Sequence, residues 1–539
     1  AVGDGKTKNT AAIQKAIDAC SQNGGGRVLV ENGIYMFGSV VMRSNVELHI
    51  AAGATLLGSP DVADYPERNV RHVRTELLPR WKNACYIYAE ESENISITGM
   101  GTIDCNGGNF VRIRENEKDW KYERISGDTP PRVIFFAGCR NVKIEDVTMI
   151  NQPAGWSYWI SDCDYVTFDK VKIEADVEFP NNDGIHINSS RNVTVSNCSI
   201  TCGDDCIVVR ANNVSLAENK ACERVTVTNC NLTSYSGGIR IGWKNDGTIR
   251  NCSFSNIVMT DTSIGVDITL PHFIFDPEKL WTADMGREAT LIENLSFNNI
   301  IMDNVYGEPI KIQITPHGET KVEAIRNLFF TDIHARGPRG IQLAGRAENH
   351  LDNIRFSNCT FEITDYSAFN NRKYHGAQGV EQSHGGYPKL VFCDSVVFGM
   401  LIGVVVLFLV VPVFCVANAE SLGNLLLLLI IVIIRAVSIG GFDLVPLAVF
   451  LYPALRQTLI HIATVDCCAD QGVVIAAQDN GLPLSLRAAK VHILQGRTAG
   501  EGTGRQGLVG QAVTHLRRNQ ALAVGKHPVT HHLNRVGDN

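Results

Sequence analysis

PNNDGIHINSSRNVTVSNCSITCGDDCIVV, residues 180–209, holds one short pattern twice. Asp183 stands two residues before the triplet Ile185-His186-Ile187, and Asp204 and Asp205 stand just before Ile207-Val208-Val209. Between them NVTVSNCSI alternates apolar and polar side chains and breaks at asparagine. Alternation over so few residues is the signature of a half-buried strand, and asparagine, aspartate and glycine are the residues that turn a chain. The stretch therefore reads as short strand, turn, short strand, with carboxylates at matched points of successive units.

The same unit recurs on both sides. NVKIEDVTMIN (from 141), YVTFDKVKIEA (165), NVTVSNCSITC (192) and RVTVTNCNLTS (224) are followed by IRNCSFSNIVMTD (249), IENLSFNNIIMDN (292), IRNLFFTDIHARG (325) and LDNIRFSNCTFEI (351). The spacing is uneven and no helical periodicity intervenes, which argues against βαβ units. Strands stacked coil upon coil with variable loops between them form a single-stranded parallel β-helix, an all-β solenoid. Such a stack needs a cover at its end. TAAIQKAIDAC (10–20) sets Ile13 and Ile17 at helical spacing behind Thr10, which predicts a capping helix with Thr10 as N-cap. The Asn-plus-β-branched repeat also generates glycosylation sequons such as NVT, NCS and NLT automatically, so these read as turn chemistry.

A second strand of each coil has the form apolar–x–apolar: YWI (158–160), IHI (185–187), IVV (207–209), IRI (239–241), VDI (266–268), IKI (310–312) and IQL (341–343). Alternation sends the flanking residues inward and the middle one outward. The outward column is then Trp159, His186, Val208, Arg240, Asp267, Lys311 and Gln342, a mixture that suits a long polar ligand such as a polysaccharide. An ordinary solvated face would be polar too. Asp183 lies one coil from Asp204 and Asp205 and next to His186 and Arg240. Carboxylates this close cannot all ionise freely, so one acquires a raised proton affinity. A protonated carboxyl that can protonate a leaving oxygen, beside an ionised one that can activate water, is the chemistry of glycoside hydrolysis.

At these residues the sequence resembles the polygalacturonase-type glycoside hydrolases of family 28, whose fold is the right-handed parallel β-helix of pectin-degrading enzymes. The likeness covers about residues 1–365. It includes AVGDGKTKNTAAIQKAIDAC, GMGTIDCNG and PRVIFFAGCRNVKIEDVTMINQPAGW. The family's Asn-Thr-Asp-Gly motif stands here as Asn181-Asn182-Asp183-Gly184, and its Gly-Asp-Asp motif as Gly203-Asp204-Asp205. The resemblance implies Asp204 as general acid, Asp183 and Asp205 as the holders of the water, inversion at the anomeric carbon, and no metal or other cofactor. Two departures bear on substrate. The family's Gly-His-Gly segment falls on SYSGGIRIG, where Gly237 replaces the histidine. Its Arg-Ile-Lys segment, which grips a galacturonate carboxylate, falls on GVDITL and gives Asp267 and Thr269. Losing two cations and gaining an acid disfavours an acidic sugar there. A rhamnogalacturonan-like or other branched pectic glycan fits better than plain polygalacturonan, with Asn181, His186, Arg210, Arg240, Lys244, Asp267, Lys311 and Tyr306 as candidate sugar contacts and Trp156 as a further groove residue.

Composition bounds the rest. The 539-residue chain carries a net charge of −7, with no basic run and no zinc-spaced Cys/His cluster, so no nucleic-acid partner is expected. Most of the sixteen cysteines sit singly in strand-like runs and read as small buried residues. The chain opens mid-pattern without a signal peptide, read as a truncated or processed start. A secreted, periplasmic or cell-surface monomer is expected. From about Val391 the character changes: no charge occurs between Ser395 and Ala419, and LLLLLIIVII follows. Residues 391–456 are membrane-like in length and hydropathy, and 457–539 form a tail of low information. A membrane anchor, an extra domain and a frameshift or fusion are the three readings of this region. The absence of repeat, amphipathic pattern and motif favours the last, and a membrane partner is expected only if the segment is genuine. Two rival functions remain beside hydrolysis: a calcium-dependent pectate-lyase-like elimination, with the three aspartates as oxygen ligands and Arg240 as base, and a polysaccharide-binding β-helix without catalysis.

Overall fold

The computed structural model of the chain describes residues 1–74, 83–115, 121–125, 130, 132–244, 246–270, 289–315, 322–364, 389–391, 393–394, 397–399, 473–477 and 491–495. The membrane-like segment 400–456 and most of the tail lie outside these residues. Among the described residues no helix is long and apolar enough to cross a membrane. The chain divides into two compact units, Ala1–Gly440 and Gly441–Asn539. In the second, the described residues are the strands Val473–Ala477 and Val491–Gln495, paired antiparallel.

The first unit is a right-handed parallel β-helix: the repeat predicts the parallel coils, and the resemblance implies their hand. One face is a sheet of eleven strands among the described residues, each paired in parallel with the next coil. It runs from Val40–Val41 through Trp156–Ser161, Ile185–Asn188, Ile207–Arg210, Gly237–Ile241, Ile264–Leu270 and Ile310–Ile314 to Lys389–Val391. The other faces belong to one larger parallel network. From Cys222–Ser234 onward, two strands of each coil fuse into one bent strand of 13 to 16 residues. Each fused strand bends at a residue with positive φ: Asn229, Asn256, Asn299 and Asp332, between 51° and 55°. Pairing continues past residue 390, where Cys393–Asp394 and Val397–Gly399 lie against Leu351–Ser357.

The recurring asparagines do two jobs. Left-handed backbone is costly for most side chains and cheapest for glycine and asparagine. Asn45, Asn94, Asn141, Asn192, Asn251, Asn294, Asn327 and Asn353 all take it, with φ between 51° and 64°. Their amides also bond from coil to coil: Asn94 Nδ2 donates to Asn45 Oδ1 at 2.8 Å, Asn327 to Asn294 at 3.0 Å and Asn353 to Asn327 at 2.7 Å. Four of these rungs, Asn94, Asn192, Asn251 and Asn294, are also sequon asparagines, as turn chemistry requires.

Inside, Phe254, Phe297, Phe330 and Phe356 stack with centroids 4.9, 4.6 and 4.8 Å apart, the spacing of paired strands. The described cysteines are free and mostly buried. The capping helix spans Thr10–Gln22 and buries Ile13 and Ile17. Its N-cap position is Asn9 rather than Thr10. The Thr10 hydroxyl instead accepts the Gly38 N–H at 2.8 Å, tying the helix to the first coils.

On the outer surface the register stacks Glu93, Arg140, Asp164, Arg191, Glu223, Arg250, Glu293, Arg326 and Asp352 in one column of strictly alternating charge. Arg250 Nε meets Glu223 at 2.8 Å and Arg326 Nη2 meets Glu293 at 2.7 Å. Each exposed pair contributes little, but a shift by one coil would set like charges together along the whole column. Arg250→Glu would put three acidic side chains on consecutive coils. It should destabilise the fold by about 1 kcal/mol, read by denaturant unfolding, and the loss should shrink in high salt.

Candidate active site

The turn before the eleven-stranded face carries the aspartates. Main-chain bonds set its coils in line: Ser157 N–H donates to Asp183 O at 2.9 Å, Gly184 N–H to Asp205 O at 2.9 Å and Cys206 N–H to Gly237 O at 2.8 Å. Trp156, Asp183, Asp205 and Gly237 are therefore successive members of one column at the coil corner. The carboxylates of Asp183, Asp204 and Asp205 converge, with one oxygen from each within 4.8 Å of the others. Such a cluster can share a proton or a divalent cation. Asp183 and Asp205 are buried, and Asp204 is half-buried.

The flanking residues of both motifs have identifiable jobs. Asn181, in the left-handed region at φ 56°, donates from Nδ2 to Asp204 Oδ2 at 3.0 Å. Asn182 is fully buried; its Oδ1 accepts the Gly203 N–H at 2.7 Å and its Nδ2 donates to Asp176 O. A Cβ on Gly203 would lie 2.3 Å from Phe179 O and 2.7 Å from Asn182 Oδ1, so only glycine lets the two turns close on each other. His186 Nε2 lies 2.7 Å from Asp183 Oδ2, and its ring stacks on Trp156 at 4.5 Å and 21°. Ser236 Oγ donates to Asp205 Oδ1 at 3.1 Å.

Burial pushes the Asp205 carboxyl well above its ordinary value. The nearby Arg240 cation opposes this, and the negative charges of Asp204, Asp183 and Asp267 add to it. The expectation that one carboxyl of the set gains proton affinity therefore falls on Asp205.

The outward column stacks in the order read from the triplets: Trp159, His186, Val208, Arg240, Asp267, Lys311 and Gln342 are paired coil by coil. It is no open solvated face, since every member is at most 5% exposed. Arg240 Nη1 sits 3.2 Å from Asp267 Oδ2 and 3.7 Å from Asp205 Oδ2, with its guanidinium 3.8 Å from the Trp243 ring centre. Asp267 also accepts a hydrogen bond from the Thr269 hydroxyl. Arg210 binds Asp246 with two nitrogens, at 2.6 and 2.8 Å, and both side chains are buried. Lys244 and Lys311 are buried as well. Tyr306 lies three coils beyond Asp205, with its hydroxyl donating to Asp261 Oδ1 at 3.0 Å.

One cation escaped the sequence reading. The hairpin Val111–Ile113 with Tyr122–Arg124 reaches back to the site, and Arg124 Nη2 donates to Asn181 Oδ1 at 3.0 Å. Burial lowers its proton affinity, while the charges of Asp183 and Asp204 raise it. Nothing in the local sequence around Arg124 marks it, because only the hairpin's docking brings it there.

Residues 77–222 match the model described as glycosyl hydrolases family 28, and the chain is similar to polygalacturonase-type proteins of that family. It is 28% identical over 276 residues to a Vitis vinifera protein described as "Probable polygalacturonase", covering 50% of this chain and 55% of that one. An endo-polygalacturonase of Pectobacterium carotovorum subsp. carotovorum is 26% identical, over 47% of this chain and 70% of its own. Among solved structures, the Yersinia enterocolitica family 28 exopolygalacturonase aligns with a TM-score of 0.53 at 19% identity, covering 75% of this chain and 77% of that one. The Erwinia carotovora polygalacturonase aligns at 0.52 and 21%, covering 74% and 96%. These alignments share the fold.

Two outcomes test the geometry. Because the folded Asp205 holds a proton that the unfolded chain, with a value near 3.8, releases, its contribution to stability is complete below that pH and is lost as pH rises through the folded value. Asp205→Asn should therefore stabilise the protein on the order of 1 kcal/mol at pH 7, with the gain shrinking toward zero by pH 4, in thermal unfolding across pH. A Cβ at Gly237 would stand 2.6 Å from Asp205 Oδ1. Gly237→Ala should displace that carboxyl and lower kcat roughly tenfold to 100-fold without unfolding the protein.

Proposed function

We propose that the protein is a glycoside hydrolase that cleaves a pectic polysaccharide by general acid/base catalysis. The observation that carries this is the convergence of Asp183, Asp204 and Asp205, one of them held protonated by burial, at a single coil corner. Asp204 has the most exposed face of the three and is assigned the role of acid. It gives its proton to the glycosidic oxygen as the bond to the anomeric carbon breaks. Water held by Asp183 and Asp205 attacks that carbon from the opposite face and releases a proton to a carboxylate. In the open site burial favours the proton on Asp205. Closely spaced carboxyls share a proton as a unit, and the proton held in the cluster is the one delivered to the glycosidic oxygen. The oxygens lie closer than the roughly 6.5–9.5 Å usual between two carboxyls of inverting hydrolases. Inversion is therefore carried by the resemblance alone and not by this spacing.

The buried Arg240–Asp267 pair bears on the sugar. A uronate set against Asp267 would meet a negative charge, and the Arg240 cation is already paired with Asp267. A neutral sugar at that position, as in a rhamnogalacturonan-like backbone, fits better. We assign the catalytic domain to the β-helix of the first unit, acting as a monomer outside the cytoplasm where pectic polymers occur.

The test follows reducing ends and ultraviolet absorbance together on a panel of pectic polymers. Reducing ends without absorbance, unchanged by a chelator, are expected. Asp204→Asn should lower that rate roughly 10²–10⁴-fold. Absorbance that depends on calcium would make the protein a lyase. Silence on every polymer from folded protein would leave it a binding module.

A further inference from the structure

His186 stands on the face strand Ile185–Asn188, three residues after Asp183. By its place in the outward column it would be counted a sugar contact. Its surroundings give it another job. The side chain is 7% exposed, and that of Asp183 is 5% exposed. One face of the ring lies on Trp156, with centroids 4.5 Å apart and planes 21° from parallel, and Trp159 approaches at 6.3 Å. Trp156 is itself held: its ring centre lies 4.6 Å from that of Trp159, and the guanidinium of the fully buried Arg132 sits 5.1 Å from it. One coil further on, the register partner of His186 is Val208, whose side chain offers the ring no polar atom.

The His186 Nε2 lies 2.7 Å from Asp183 Oδ2. A carboxylate only accepts, so the imidazole donates. This bond is shorter than those from Asn181 to Asp204, 3.0 Å, and from Ser236 to Asp205, 3.1 Å. A buried hydrogen bond to a charged acceptor is among the strong ones. The main chain around Asp183 is already fixed. Its carbonyl accepts the Ser157 N–H at 2.9 Å, the Gly184 N–H donates to Asp205 O at 2.9 Å, and a Cβ on Gly184 would lie 2.2 Å from Cys206 O. What is left to set is the rotation of the Asp183 side chain.

We propose that His186 is the positioning residue of Asp183: clamped on Trp156, its Nε2–H fixes the rotation of the Asp183 carboxylate, so that this carboxylate places the attacking water. The proposal rests on the hydrolase reading above. Misplacing a reacting group by about 1 Å costs on the order of 100-fold in rate. That loss falls on kcat, because the water is placed for the reaction and takes no part in holding the sugar.

The test measures kcat and KM from reducing ends on the pectic polymer to which the full chain responds, for the parent, His186→Phe, His186→Gln and His186→Asn, each with its thermal transition. Phenylalanine keeps a ring on Trp156 and removes the donor. Glutamine gives up the ring and keeps an N–H at about the reach of Nε2, and asparagine carries the same amide one methylene short. His186→Phe and His186→Asn should each lower kcat roughly tenfold to 100-fold with KM within about twofold of the parent, and His186→Gln should recover most of the loss. The asparagine–glutamine pair decides the matter even where the phenylalanine chain lacks a thermal transition. Equal losses in asparagine and glutamine would overturn the proposal, because the ring and not its N–H would then be what counts. A raised KM at unchanged kcat would overturn it too, because His186 would then be a sugar contact. Both of those results leave the hydrolase reading standing. A folded parent that releases no reducing ends from any polymer overturns both.

Discussion

Parallel main-chain pairing between successive coils is the interaction on which the rest depends. It fixes the distance between equivalent residues at one strand spacing and repeats it along the face. A side chain in such a stack has a neighbour above and below of the same rank in the next coil. Chemistry then becomes a matter of columns. The phenylalanines stack, the surface charges alternate and the asparagine amides bond in series because the register makes each residue the neighbour of its counterpart. The same rule brings Asp183 and Asp205 together across more than twenty residues of sequence.

Register in such a fold needs devices of its own, since short strands with similar triplets could slip by a whole coil. The alternating charge column makes slippage repulsive. The asparagines keep the corners at fixed points, because the left-handed turn and the amide ladder are available only where they stand. At the aspartate turns the device is space: glycines at 184 and 203 sit where any side chain would strike neighbouring backbone oxygens. The motif glycines and Asn182 are therefore parts of the fit between two turns, and the carboxylates are aimed by that fit.

Much of this was legible in the sequence. The apolar–x–apolar triplets gave the outward column residue for residue, and matched placement before two triplets gave the aspartate cluster, because a period-two pattern plus a constant strand spacing leaves little freedom. What escaped depends on loops. Burial of the outward column comes from segments such as that around Val73 and Leu216, whose docking no periodicity encodes. Arg124 reaches Asn181 through a hairpin with an irregular sequence. Arg210 looked like a sugar contact, but Asp246, 36 residues away, already binds it with both oxygens. The shift of the N-cap from Thr10 to Asn9 is a one-residue matter: both can cap, and Thr10 is occupied by Gly38.

The site departs from the pattern of the family it resembles in a way the columns make intelligible. The histidine expected two coils beyond Asp183 is Gly237, and the space where that side chain would stand borders Asp205 directly. An imidazole is nevertheless present, supplied by His186 from the coil of Asp183 itself, on a stacked tryptophan. Arg240 stands beside Asp267 on the face, and Arg124 approaches the aspartates from the other flank. A column fold tolerates such exchanges because neighbouring coils reach the same point in space: a group can move by one coil in sequence while the carboxylates keep their surroundings. What cannot move is charge balance. Burial raises the proton affinity of Asp205, the Arg240 cation that opposes it also pairs with Asp267, and the Asp267 charge adds to the rise.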